Sequence, residues 1–199
     1  MTIRNVYLDC EFLRSDPELS GLYSIALTDD NGIDYYACNK DGRPFQLAYE
    51  EWMLDNVVPY LPMQIYRDLT GGVSTVHWDE RHPDYGMVKP AVQIRDEIAA
   101  YFENTDADQT HLYAYYGGQD IFRLHSLWGH DWSVMPDAVP CWFYDLKGLA
   151  VQRGNPRLPE QQEGAHNALE DARWNREVHR FLQRHTRGRA FSVAPVAGS

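Results

Sequence analysis

Two acids with one residue between them stand near the start of the chain, in the run Asn5-Val-Tyr-Leu-Asp-Cys-Glu-Phe12. If this run is a strand, alternation puts Asp9 and Glu11 on the same face. Val6, Tyr7 and Leu8 supply the β-propensity and burial that would hold such a strand rigid. Two carboxylates on one rigid edge repel each other unless something positive neutralises them, and a divalent cation is the usual solution. A third acid, Asp120, follows Tyr115-Tyr116-Gly117-Gly118-Gln119, just past an aromatic strand and near the start of a helix. It is either a further ligand at a strand end or an acid favoured in a helix's first turn. The fourth group is Gly164-Ala-His166-Asn167-Ala-Leu-Glu170-Asp171. Asn167 and Glu170 have the spacing of a helix N-cap and its reciprocal partner. That cap leaves His166 outside the helix and Asp171 about one turn inside. In one continuous helix the two would lie roughly 140° apart. With His166 on the loop, both can face one site. An Asp-x-Glu pair alone carries little weight among 29 acidic residues, and His166 is one of eight histidines. The joint pattern, in this order and on these element types, is far more specific than any of its parts.

The elements that must position these groups follow from periodicity and turn chemistry. Residues 5–12, 22–29 and 33–38 read as a three-stranded antiparallel meander, with Asn31-Gly32 supplying a turn that tolerates positive φ. Residues 45–57 carry helical spacing through Phe45, Ala48, Tyr49, Trp52 and Met53, ended by Pro59 and Pro62. Residues 63–89 read as an irregular insertion with a short extended piece, Ser74–Trp78, and a charged, histidine-rich loop. A helix follows Pro90 to about residue 103, then a strand over 111–115, a helix over 119–127, a strand over 141–144 and a helix near 145–153. After a loop over 154–165, residues 167–184 form a long amphipathic helix. Three antiparallel strands followed by alternating helices and strands predict an α/β fold with a mixed five-stranded sheet flanked by helices. Residues 1–185 read as one domain and 186–199 as a loose tail.

Composition narrows the class. The 199 residues include 44% hydrophobic and 24% charged, an ordinary globular balance with enough apolar material for a core. No run is long enough to span a membrane, and the start lacks a signal-peptide pattern. Three cysteines, Cys10, Cys38 and Cys141, have no metal-ligand spacing and fit a reducing compartment, so a cytoplasmic location is expected. A net charge of −11 argues against broad binding of long nucleic acid through a basic face. It leaves open a phosphate substrate held locally through bound cations.

The quoted motifs together resemble one superfamily. Asp9-Cys-Glu-Phe12, the aromatic run before Gln119-Asp-Ile-Phe122, Leu127-Trp-Gly129 and Ala165-His-Asn-Ala-Leu-Glu-Asp-Ala-Arg173 are similar to the motifs of DEDDh-type 3′-5′ exonucleases. Ribonuclease T, oligoribonuclease and the proofreading subunit of bacterial replicative polymerase are members. The likeness is strongest to the polyadenylate-specific 3′-exoribonucleases of the AS type from actinobacteria and phages, and it runs from residue 5 to about 183. The resemblance implies a ribonuclease H-like fold. It also implies two Mg²⁺ or Mn²⁺ ions held by Asp9, Glu11, Asp120 and Asp171, with His166 as general base. The implied substrate is the single-stranded 3′ end of RNA, released as nucleoside 5′-monophosphates. A homodimer is the implied assembly. Residues around Cys10 and Phe12 would receive the terminal nucleotide, with Phe12 either stacking on a base or packing in the core. Tyr115, Tyr116, Trp78 and His77 are further stacking candidates, each with packing as the competing role. Two other functions stay open. One is the same chemistry on DNA, separable with matched RNA and DNA oligonucleotides. The other is a non-catalytic nucleotide-binding module, which would release no monophosphate with Mn²⁺.

Overall fold

A computed structural model of the chain describes residues 1–161 and 164–185, so the tail assigned to 186–199 lies outside the described residues. Strands β1 (Ile3–Phe12), β2 (Leu22–Asp29) and β3 (Asp34–Asn39) form the expected antiparallel meander. Gly32, at φ +78°, closes the β2–β3 turn by donating its N–H to Asp29 O at 3.0 Å. Next come α1 (Glu51–Asn56), β4 (Met63–Arg67), β5 (Val73–Trp78), β6 (Val88–Lys89), α2 (Ala91–Glu103) and β7 (Gln109–Ala114). The chain then continues through α3 (Gly118–Ser126), β8 (Tyr144–Asp145), α4 (Leu146–Gln152) and α5 (Ala168–His185). The main sheet runs β6-β3-β2-β1-β7-β8, mixed as expected, with β7 and β8 parallel to β1. A sixth strand, the two-residue β6, pairs parallel to β3 at the edge.

Three segments differ from their sequence readings. The helix read over 45–57 is a 3₁₀ turn over Pro44–Tyr49 followed by the short α1, because the backbone leaves helical geometry at Glu50 (φ −123°, ψ 80°). Within 63–89, β4 and β5 form a hairpin. Its turn is built by the Asp68 carboxylate, which accepts N–H bonds from Thr70 and Gly72, with Gly71 at φ +86°. Met63, Ile65, Val73 and Trp78 pack on a buried cluster around Leu47, Met53 and Val76, which is what makes the hairpin fold. The strand read over 141–144 is confined to Tyr144 and Asp145, paired with Tyr113 and Ala114, since Cys141 and Trp142 project into solvent just after Pro140.

Alternation along β1 divides the core. Val6, Leu8 and Cys10 face α2 and α3, packing with Ile94, Ile98, Phe102 and Leu124. Tyr7 faces the other way, packing with Val178 and Leu182 of α5 and Leu146 and Ala150 of α4. Asp9 and Glu11 therefore emerge on the α5 face. Ala26, the β2 partner of Asp9, packs against Ala168 and Ala172, and these small residues bring the start of α5 close to the sheet beside the two acids.

Two polar contacts fix α5 along β1. Asn175, buried one turn after Asp171, donates to Leu8 O at 3.0 Å. The Tyr7 hydroxyl donates its one proton to Asp30 at 2.8 Å. His179 must then donate Nδ1–H to the Tyr7 oxygen, 2.9 Å away, leaving Nε2 to accept from Gln183 at 3.2 Å. Burial holds His179 neutral by pushing its pKa down to about 4. Asn175→Ala, which leaves Leu8 O unpaired in the core, is expected to destabilise the fold by roughly 1–3 kcal/mol in a denaturant melt. It should also weaken activity, because Leu8 O precedes Asp9. Asn175→Asp, which keeps the shape but removes the donor, should be at least as harmful. Among the described residues, no helix is long and apolar enough to cross a membrane.

Candidate active site

Glu11, His166 and Asp171 converge from opposite ends of the chain. Each offers a ligand atom, and these atoms all lie within 4.8 Å of one another. The His166–Asp171 spacing has a local cause. Asn167 caps α5, its side-chain oxygen accepting from Leu169 N at 3.0 Å and Glu170 N at 3.3 Å. The reciprocal half of the cap is absent, since Glu170 pairs with Arg173 and Asn167 N–H bonds to Gly164 O instead. His166 sits at φ +70°, a conformation costly for a residue with a Cβ. Its N–H donates to Asp171 Oδ2 at 2.9 Å, so the acid one turn into the helix fixes the histidine's backbone. Gln161 Nε2 donates to the other carboxylate oxygen at 2.6 Å.

Asp9 precedes this cluster by one step of the strand and shares the face of Glu11. Between Glu11 and Phe12 the β1–β2 register shifts, a bulge of the kind that re-aims side chains near active sites. Asp120 arrives on α3 by a tight turn. A Cβ on Gly117 would lie 2.3 Å from Ala114 Cβ and 2.8 Å from the Phe143 ring, so only glycine fits there. Gly117 N–H is held by Asp145 Oδ2 at 3.1 Å. Asp120 Oδ1 then accepts from the backbone N–H of Cys10 at 3.0 Å, which seats it against the strand between Asp9 and Glu11. It is 6% exposed and stands in the first turn of α3, with its side chain turned in to the strand.

The four carboxyls crowd one largely buried region and repel one another. Burial, then repulsion from Asp120, Glu11 and Asp171, holds the Asp9 carboxyl well above the usual range. Glu11 is pushed up to about 8 by burial and by repulsion from Asp171 and Asp120. Burial raises Asp120 to about 7, against the opposing Cys10 N–H bond, and raises Asp171 as well. Nothing acting on Asp9 or Glu11 lowers either pKa, and among the described residues no lysine or arginine forms an ion pair with any of the four acids. The buried Arg123 opposes the rise of Asp120 through its charge alone, since its guanidinium bonds to Leu13 O and Glu18 O and stacks 4.9 Å from the Phe12 ring. Four crowded hard carboxylates, none of them in an ion pair among the described residues, fit a divalent cation.

The chain is 28% identical over 167 residues to 3′-5′ exoribonucleases from two strains of Mycobacterium tuberculosis, covering 84% of this chain and 86% of each relative. The chain is a 3′-5′ exonuclease homologue. No family model matches it. Among solved structures, exonuclease I matches with a TM-score of 0.55 at 12% identity, over 91% of this chain. Exonuclease I of Methylocaldum szegediense also matches with a TM-score of 0.55, at 13% identity over 94% of this chain. Those are longer proteins: this chain spans 41% of each. The likeness establishes the ribonuclease H-like fold of this exonuclease homologue, as the resemblance of its motifs implied.

The candidate nucleotide-contacting residues divide. Cys10 is buried and holds Asp120 twice, its thiol donating to Asp120 O at 3.8 Å and its N–H to the carboxylate. Phe12 packs partly against the core and under Arg123. Tyr115 packs edge-on to Trp174, centroids 5.1 Å apart, while Tyr116 is 66% exposed at φ +55° on the rim before α3. Trp78 packs on the hairpin's cluster, and His77 lies edge-on to Tyr66. Sequence reading passed over Trp52, Gln161 and Asn175. Asn175 carried a signal, a polar residue four positions after Asp171 on the core-facing stripe. Gln161 carried none.

Proposed function

We propose that this protein is a metal-dependent 3′-5′ exoribonuclease that removes nucleoside 5′-monophosphates from a single-stranded 3′ end. The observation that carries this reading is the convergence of Glu11, His166 and Asp171 beside Asp9, with Asp120 bonded to the intervening Cys10 N–H. Asp9, Glu11, Asp120 and Asp171 would hold two Mg²⁺ or Mn²⁺ ions. When bound, such ions neutralise charge on the phosphodiester and lower the pKa of water. His166 takes the proton of the attacking water at an imidazole nitrogen. Gln161 and the His166 N–H hold the Asp171 carboxylate in a fixed plane, so it meets the site without reorganising. Exposed Trp132 and Trp142 leave apolar surface that supports the homodimer expectation.

The relatives' names favour RNA over DNA. Matched RNA and DNA oligonucleotides labelled at the 5′ end test both substrate and direction. With Mg²⁺ or Mn²⁺, the RNA should give a ladder of progressively shortened labelled products and release of monophosphates. A ladder from DNA alone would move the assignment to a DNA exonuclease. No release from either would overturn the enzymatic reading.

A further inference from the structure

Trp52 was read from sequence as one member of an apolar helical stripe, yet its side chain stays 49% exposed. Its indole meets the His166 imidazole edge to face, with centroids 4.8 Å apart and planes at 77°. We propose that Trp52 is a positioning residue that sets the orientation of the His166 imidazole beside the acidic cluster. The proposal rests on the exonuclease reading given above.

The backbone and ring of His166 are held by different things. The backbone is tied by its N–H bond to Asp171 Oδ2 and by the capped start of α5. These contacts fix where Cα lies and leave the side-chain torsions free. Among the described residues the imidazole makes no hydrogen bond, and Trp52 is its one ring neighbour. A general base acting on a water must hold its nitrogen on a defined line. Bases of this kind usually have a third group that orients them through the other ring nitrogen, and here the indole takes that place. Aromatic edge-to-face contacts are directional, because one ring's positive edge meets the other's negative face, so the contact sets an angle as well as a distance.

Trp52 is itself on a firm support. Its neighbour Met53 is buried in the cluster with Val57, Val58 and Leu61. Asn56 Nδ2 bonds to Trp52 O at 2.8 Å, closing the helix's one complete turn. The segment over 44–60 is no part of the main sheet, yet the Trp52 indole meets His166 on the loop before α5. Burial alone does not explain a tryptophan left half open, whereas contact with a reacting group does.

The test compares Trp52→Ala and Trp52→Phe with the wild-type chain on a short RNA and Mn²⁺. Trp52→Ala should lower kcat by about 10- to 100-fold while KM stays within about twofold. Trp52→Phe restores an aromatic partner and should recover most of kcat. A proton spectrum of the metal-free protein, with His166 assigned by comparison with His166→Ala, supplies a second readout. The His166 ring protons should move in Trp52→Ala and stay near their wild-type positions in Trp52→Phe. A raised KM with unchanged kcat would overturn the proposal by making Trp52 a substrate-binding residue. Equal loss in both variants, or ring protons unmoved in Trp52→Ala, would overturn it too. If the wild-type chain releases no nucleotide, the exonuclease reading fails on that result, and the ring-proton comparison still decides whether Trp52 orients His166.

Discussion

Asp9→Asn is expected to reduce metal-dependent nucleotide release to the background of the digest, with the protein still folded. Asparagine keeps the shape of the side chain and removes one of four mutually repelling charges, so no packing is lost. What is lost is the acid that stands one strand step before Glu11 and beside Asp120. Asp171→Asn should behave alike in activity, but it should also loosen His166, whose N–H rests on that carboxylate. His166→Ala leaves the four carboxylates in place. It should slow turnover by about 10²- to 10⁴-fold, the usual contribution of a general base, while metal binding measured by titration calorimetry is retained. The contrast is what matters: loss of binding with Asp9→Asn, loss of rate with His166→Ala. Full activity in an Asp9→Asn, Asp171→Asn double variant would remove the basis for the assignment.

The site was more legible in the sequence than the elements that carry it, and the reason is physical. Asp9 and Glu11 share a face because a strand repeats every two residues, and the three preceding apolar residues identify the strand. His166 and Asp171 share a site because a cap residue announces where the helix begins, and Asn167 does cap α5. Asp120 was ambiguous because a first-turn acid looks the same whether it serves the helix or a ligand. Only the fold shows it turned inward to the Cys10 N–H. The β4–β5 hairpin was unreadable because its turn depends on Asp68 bonding its own backbone and its apolar residues face a satellite cluster. Trp52 was misread for a different cause. Periodicity identifies a face, and it does not say whether that face meets the core or a functional group on another segment.

The same repulsion that marks the site should be measurable as instability. Glu11 and Asp120 are raised from ordinary carboxylate values to about 8 and about 7, while in the unfolded chain they return to the usual range. Between about pH 4 and pH 8, then, the folded metal-free protein binds more protons than the unfolded chain. Stability contributed by these groups is fully present below the unfolded values and is lost as pH rises through the folded ones. The metal-free protein should therefore melt at progressively lower temperature as pH is raised across this window. A divalent cation reverses the trend, because it binds the folded, deprotonated cluster and has no such site in the unfolded chain. At roughly 100 times its dissociation constant it adds about 2.7 kcal/mol, which for a chain of this size raises the melting temperature by roughly 5–10 °C. The rise should be larger at pH 8 than at pH 5, where protons compete for the same oxygens. Asp9→Asn should melt higher than wild type without metal at pH 8 and gain much less from Mn²⁺. Thermal melts across pH, with chelator or with Mn²⁺, check all three statements. A metal-free wild type whose melting temperature rises from pH 5 to pH 8 in step with Asp9→Asn would mean that the acids do not repel one another as their placement requires.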